Sequence, residues 1–321
     1  MTIAPIVMFV YNRPQLARQT LECLAVNELA SESDLFIFSD GAKQNATQAD
    51  CIKIEETRKV IREKAWCKTV TIIESSVNKG LATSVIEGVT EVVSKYGNVI
   101  VIEDDVLLSP HFLKFMNDAL KIYKDDSRVG SIGSWNYFCP PNKLTETFFF
   151  RYPDTKGWAT FERAWKYFEP DSVKLIEQLK SKSKWDEFNF HDDIFYMGKM
   201  LQLQAENKIS SWAIRWTASS ILNNMLTLFP ATTLSKDIGF GADATHDKSI
   251  YDYNANLQFS TSSVNVIIQE VIENNAAIIE WKKFSRKYYY INQGDNSIKG
   301  ILRKKLPFTL VRWIDKNISN R

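Results

Sequence analysis

The chain has 321 residues, 45% hydrophobic and 24% charged, a globular profile that excludes disordered and fibrous classes and allows one large α/β domain or two modest ones. Its four cysteines (Cys23, Cys51, Cys67, Cys139) form no C-x-x-C pair, which argues against a zinc site or a disulfide scaffold and for a reducing, cytoplasmic setting. Net charge is only +2, but residues 281–321 hold eleven Lys/Arg against two Asp, a surplus of nine that leaves the first 280 residues at −7.

Strands are expected over Pro5–Val10, Leu35–Ser39, Val70–Glu74 and Val99–Glu103, with helices over Gln15–Asn27, Ala49–Ala65 and Ala82–Lys95 between them. Alternation at this spacing predicts βαβ units and a mostly parallel sheet with helices on both faces. The run Ile6–Val10 is too short, and lacks the basic start, of a signal peptide, and no stretch reaches the ~20 apolar residues of a membrane span. Pro110–Tyr123 reads as a further helix, with Ser109 as its N-cap. Beyond Val129 the signals are mixed. Strands are expected near Phe148–Arg151 and Leu226–Phe229, and helices over Phe161–Phe168, Ser172–Leu179, Asp192–Glu206 and Ile214–Asn224.

The most informative segment is Val99-Ile100-Val101-Ile102-Glu103-Asp104-Asp105. An apolar run without alternation reads as a strand buried on both faces. Three acids at its end repel one another in a dry site, so they need a cation or water. Ligands of open α/β sheets bind at the carboxyl ends of the strands, and a hard divalent ion shared with a diphosphate suits carboxylate oxygens. The preceding strands deliver Tyr11-Asn12-Arg13-Pro14, Asp40-Gly41 and Asn78-Lys79-Gly80-Leu81 to the same edge. Arg13 and Lys79 suit phosphate, and Asp40 can accept a hydrogen bond from a base or ribose. Each loop taken singly is also an ordinary βα turn.

This ordered set resembles the nucleotide-sugar glycosyltransferases of the GT-A type, with Glu103-Asp104-Asp105 in the place of the D-x-D-type motif. Within that group the chain is similar to bacterial capsule and surface-polysaccharide transferases. More distantly it resembles the N-acetylglucosaminyltransferase I type, through Ser109-Pro110-His111-Phe112, Gly133-Ser134-Trp135-Asn136, Gly157-Trp158, Trp165, Glu169-Pro170, Phe240-Gly241 and Thr245-His246. The likeness runs over roughly residues 4 to 250. It implies an α/β fold of the GT-A, Rossmann-like kind: a mostly parallel mixed sheet flanked by helices. Residues 1–280 would form that domain, with 1–106 as the nucleotide-sugar half and 107–280 as the acceptor half, and 281–321 a basic aromatic extension.

The resemblance also implies roles. Asp105 would ligate Mn²⁺ or Mg²⁺, with His246 of the late loop closing over metal and diphosphate. Glu103 and Asp104 would contact donor sugar and ribose. Asn12, Arg13 and Asp40 would hold the nucleoside, UDP by preference, with Lys79 nearby. Gly157-Trp158 would give the acceptor an aromatic platform. The competing readings are a surface-loop histidine and a buried tryptophan beside a turn glycine. The catalytic base is the weak point, since Ser210-Ser211-Trp212 stands where that relative has Asp-Asp-Trp. Glu162, four residues after Trp158, is the first substitute, at the offset that galactosyltransferases of this fold use. Asp193 is the second, with Asp192 beside it. His111 and His191 read as structural.

The expected reaction is sugar transfer from a nucleoside-diphosphate donor to a saccharide or lipid-linked acceptor in surface-glycan assembly. A nucleotidyltransferase of similar fold, a catalytically lapsed nucleotide- or glycan-binding protein, and a membrane-surface scaffold are the alternatives. The first lacks its Gly-rich loop after strand one. In 281–321, basic residues alternate with aromatic and aliphatic ones, as for peripheral binding to an anionic inner membrane face; a helix packed on the domain is the other reading. No nucleic-acid partner is expected, because no binding motif accompanies the charge and the body is acidic.

Overall fold

The computed structural model describes residues 3–190, 197–239, 257 and 259–292, with side chains to residue 285. The strands are β1 (Ile6–Val10), β2 (Asp34–Ser39), β3 (Thr69–Glu74), β4 (Asn98–Glu103), β5 (Val106–Leu108), β6 (Val129–Gly133), β7 (Thr147–Phe150), β8 (Trp158–Phe161), β9 (Leu226–Pro230) and β10 (Ser235–Asp237). Eight of them form one mixed sheet in the order β3-β2-β1-β4-β8-β6-β9-β7. The four N-terminal strands are mutually parallel. Their carboxyl ends therefore share one edge, and the order reverses between β1 and β4, where such sheets bind ligands. Every residue of β1 is buried, as the unbroken apolar run requires.

Helices α1 (Pro14–Ala25), α2 (Gln48–Ile61), α3 (Leu81–Tyr96) and α4 (Phe112–Ile122) follow β1, β2, β3 and β5. Pro14 sits in the first turn of α1, and a Thr47/Asp50 capping box starts α2. Helix α4 begins later than its sequence signals suggest. Its N-cap is His111, and the Ser109 hydroxyl instead donates to the Ser260 carbonyl at 2.9 Å.

The second half departs further from expectation. Trp158–Phe161 forms β8, so the expected helix over Phe161–Phe168 shrinks to α5 (Glu162–Trp165). Strand β8 runs antiparallel between β4 and β6, with Val101 opposite Trp158 and Asn98 opposite Phe161. Helices α6 (Ser172–Ser181), α7 (Trp185–Phe188), α8 (Met197–Ala205) and α9 (Trp212–Leu222) follow. Ser211 caps α9 through its hydroxyl, which gives that serine a structural reason to stand before Trp212.

One apolar core lies between the central strands and their flanking helices. A second, rich in aromatic rings, joins β7 to α6, α8 and α9 and includes Trp281 of the last helix, α10 (Asn275–Asn292). The composition break at residue 281 thus falls inside a continuous helix. Among the described residues, no helix is long and apolar enough to cross a membrane.

Candidate functional site

Four chain segments meet at the β1/β4 reversal. Strand β4 ends in Glu103, followed by Asp104 and Asp105, both under 9% exposed. Arg13, just beyond β1, donates from Nη1 to Asp105 Oδ2 at 2.9 Å and lies 4.0 Å from Asp104. Continuing the β4–β8 register two residues before Trp158 sets Lys156 opposite Glu103. The Lys156 ammonium lies 2.9 Å from Asp105 Oδ1, 3.3 Å from Glu103 and 3.3 Å from Asp237. Asp237 arrives on β10, which pairs antiparallel with β5, and the Ile238 N–H donates to the Asp105 carbonyl at 2.8 Å. At Gly239 a Cβ would stand 2.1 Å from Asp105 Oδ2. Any larger residue would collide with the carboxylate.

The lysine is held by its backbone. Asp154 accepts from the Lys156 N–H at 2.9 Å and from the Ser134 and Trp135 N–H groups at 2.8 Å each. The Ser235 hydroxyl donates to the Lys156 carbonyl at 2.8 Å. Gly157 follows with φ +88°, a left-handed conformation that lets the chain turn beneath Ser134.

Electrostatics separate the four acids. Burial opposes the charged form of Asp105, yet Lys156 and Arg13 outweigh it and hold that carboxyl below the usual range. Burial pushes Asp104 up to about 7, reinforced by the charge of Asp105. Glu103 and Asp237 are raised by burial as well, against the pull of Lys156. Burial alone would lower Lys156, but Glu103, Asp105 and Asp237 raise it well above an ordinary lysine. Asp105 is therefore the carboxylate most firmly held ionised.

Arg13, Glu103, Asp104 and Asp105 come together as the sequence suggests, Gly157 follows the Lys156 that joins them, and Asn12 is half-buried just beyond β1. Asp40 has a different task. Its Oδ1 accepts from the Gly41 and Lys79 N–H groups, and its Oδ2 from the Asn78 side chain and the Gly80 N–H, all at 2.8–2.9 Å. Those four bonds fill the accepting capacity of a carboxylate, so Asp40 pins two loops rather than offering an oxygen to a base. The Lys79 side chain is exposed and pairs with Glu87 at 2.7 Å.

Two expectations fail on geometry. Trp158 is 1% exposed, stacked on Trp212 at 5.2 Å and packed near Trp165 and Trp216. It offers no open face to a sugar. Glu162 follows Phe161, which pairs with Asn98 at the amino end of β4. At 3.3 Å per residue, that is roughly 17 Å from the acids, on the opposite sheet edge. Antiparallel β8 carries the chain away from the site within one strand. Asp193 and His246 lie outside the described residues.

Lys156 and Asp237 were not legible as site residues. Lys156 directly precedes the Gly157-Trp158 pair, and Asp237 opens the late glycine loop. That adjacency was the available signal.

Oxygen-rich carboxylates from two chain segments are the donor chemistry of Mg²⁺ or Mn²⁺, and Glu103, Asp105 and Asp237 are the residues that would hold one. They are spaced for an ammonium: among the described residues, no group of three or more His, Cys, Asp or Glu stands ready around an ion.

Comparison with known proteins bears on this site. The profile described as "Glycosyl transferase family 2" matches residues 6–176, more than half of the chain. A search of curated proteins returned no match. Among solved structures, the chain is similar to residues 1–349 of TarS from S. aureus at 13% identity, covering 72% of this chain and 58% of that one, with a TM-score of 0.39. Against another TarS structure it spans 20% of that chain. Mouse xyloside xylosyltransferase 1 is similar at 10% identity, covering 68% and 80%, TM-score 0.34. The galactosyltransferase LgtC, in complex with donor and acceptor sugar analogs, is similar at 11% identity, covering 68% and 69%, TM-score 0.30. The assignment rests on the sequence profile together with the parallel half-sheet and its terminal acids: the chain belongs to glycosyl transferase family 2 and has a GT-A-like α/β fold.

Proposed function

We propose that this glycosyltransferase moves a sugar from a nucleoside-diphosphate donor, UDP-linked, to a saccharide or lipid-linked acceptor in the assembly of a surface glycan such as capsule or lipopolysaccharide. The observation that carries the reading is the acid cluster at the β1/β4 reversal, flanked by Arg13 and Lys156. Fully ionised, Glu103, Asp104, Asp105 and Asp237 outnumber Arg13 and Lys156 by two charges. A donor diphosphate brings further negative charge. A divalent ion, Mn²⁺ or Mg²⁺, would offset the excess charge of the acids, with Asp105 as its principal ligand. When bound, it would stabilise the charge that grows on the departing diphosphate.

The remaining roles belong to the same reading. Arg13 is placed to exchange Asp105 for a phosphate oxygen. Asn12 would meet the nucleoside at the same edge, and Asp40 would act through the loop it fixes, including the Lys79 backbone. Asp104 would contact the ribose; Glu103, beside the ion it would help to hold, would contact the donor sugar, with Gly157 on the acceptor side. With Glu162 on the opposite edge, Asp193 is the proposed acceptor-side base, with His246 of the late loop at the diphosphate. The basic segment 281–321 is the proposed contact with an anionic membrane at its inner face.

The test is calorimetry of UDP, GDP and their sugar conjugates against the protein, with and without Mn²⁺, followed by donor hydrolysis. The reading expects metal-dependent binding of a uridine nucleotide. Failure to bind any nucleoside diphosphate in Mn²⁺ or Mg²⁺ would sink it. Asp193→Asn should bind donor normally and lose transfer; normal transfer removes Asp193 from the mechanism.

A further inference from the structure

The Lys156 ammonium has three N–H donors, and three carboxylates surround it: Asp105 at 2.9 Å, Glu103 at 3.3 Å and Asp237 at 3.3 Å. These are hydrogen-bonding distances. A magnesium ion draws oxygen ligands to about 2.0–2.1 Å, so an ion and the ammonium cannot both sit at the point between these three acids. Both Asp105 oxygens are engaged, Oδ1 by Lys156 and Oδ2 by Arg13. An ion at the point where the oxygens of the three acids converge cannot share it with an ammonium. Of the two cations, Lys156 is the one at the point where oxygens of Glu103, Asp105 and Asp237 converge.

We propose that Lys156 is a resident cation that occupies the metal position between Glu103, Asp105 and Asp237 and gives it up when a divalent ion binds. The inference rests on the metal-dependent reading above and adds a residue and a competition to it. Without the ion, Lys156 neutralises acids that would otherwise repel one another in a poorly solvated pocket. Exchange needs no backbone movement. The main chain of Lys156 stays clamped by Asp154 and Ser235 while the flexible four-carbon stem changes rotamer. Displaced, the ammonium remains at the carboxyl edge of β4, where the diphosphate is expected. The competition weakens apparent metal affinity by the fraction of molecules in which the lysine is out.

The experiment compares Mn²⁺ binding to the full-length protein and to Lys156→Met, by electron paramagnetic resonance of free Mn²⁺ without any nucleotide. Methionine keeps an unbranched stem and removes the charge. The variant should bind Mn²⁺ at least about tenfold more tightly, which corresponds to a lysine in place in nine of ten molecules. A second measurement uses the unmodified protein, in case the variant fails to fold. Reductive methylation read by peptide mass spectrometry should label Lys156 faster when Mg²⁺ is added. Lys79, exposed and paired with Glu87, is the internal control and should not change. Equal Mn²⁺ affinity of the two proteins, or labelling of Lys156 indifferent to saturating Mg²⁺, overturns the proposal and leaves metal-dependent donor binding standing. Absence of Mn²⁺ binding by both proteins overturns the proposal and the metal reading together.

Discussion

Asp40 and Asp105 follow parallel strands that lie two apart in the sheet, and both are under 9% exposed, yet their surroundings are opposite. Asp40 is satisfied by three backbone N–H groups and one asparagine amide from the loops it joins. Asp105 is satisfied by two long cationic side chains. Backbone donors cannot leave without unfolding a loop, whereas arginine and lysine can turn to another anion. The difference teaches how to tell a scaffold carboxylate from a working one when both are buried: ask whether its partners can be exchanged.

The largest expected effect is at Asp105. Asp105→Ala should lower kcat/KM by at least about 10²-fold, the scale of losing a transition-state charge stabiliser. Unfolding free energy should shift by less than about 1 kcal/mol, since Lys156 keeps Glu103 and Asp237 and like-charge repulsion falls. A large stability loss would place Asp105 with the scaffold and break the contrast. Asp40→Ala should do the reverse. It leaves several N–H donors unsatisfied and should cost about 1–3 kcal/mol in chemical denaturation. Full stability with selectively lost uridine affinity would return Asp40 to the binding role.

A pH experiment sharpens the same distinction. Asp104 is raised to about 7 by burial and by Asp105. Between its ordinary value near 3.8 and about 7, the folded state then binds more protons than the unfolded state. Stability should fall as pH rises through that window and level off above it. Asp104→Asn should reduce the slope without abolishing it, since burial also raises Asp154 to about 7 and raises Glu103 and Asp237; an unchanged slope would show that those other groups carry it. The smallest effect is expected at Glu162. Glu162→Gln should leave transfer within about twofold and stability within about 0.5 kcal/mol. A 10²-fold loss would mean that the far edge of the sheet takes part in catalysis.

The parallel half-sheet was legible because strand-like runs, apolar throughout in β1 and nearly so in β4, alternate with helical stretches at regular spacing. Observed bounds for β1 to β4 fall within a residue of expectation. Glu103, Asp104, Asp105 and Arg13 were legible for the same reason: strand ends fix where loops go. The later half was harder. Strand β6 is Val-Gly-Ser-Ile-Gly, with little strand propensity, and forms because its neighbours bury it completely. No strand is expected from the local pattern at β8, which overlaps the expected helix only at Phe161, and tertiary pairing with β4 creates it. Lys156 and Asp237 reach the acids only through antiparallel registers between distant segments. Local spacing carries no record of those, and the same blindness set Glu162 on the wrong edge and opened Trp158 to solvent.

Trp281 has a consequence for the order in which the molecule assembles. Its ring lies 5.2 Å from Phe138, 5.6 Å from Phe150 and 5.7 Å from Tyr152, partners made far earlier along the chain. The aromatic cluster therefore cannot close until α10 has been synthesised, whereas the four parallel strands and their mutual partners all lie before residue 104. Contacts between distant segments form slowly because the loop must be ordered first. Folding should proceed from the nucleotide half toward α10, and native-state hydrogen exchange should find β7 and α6 opening before β1 and β4.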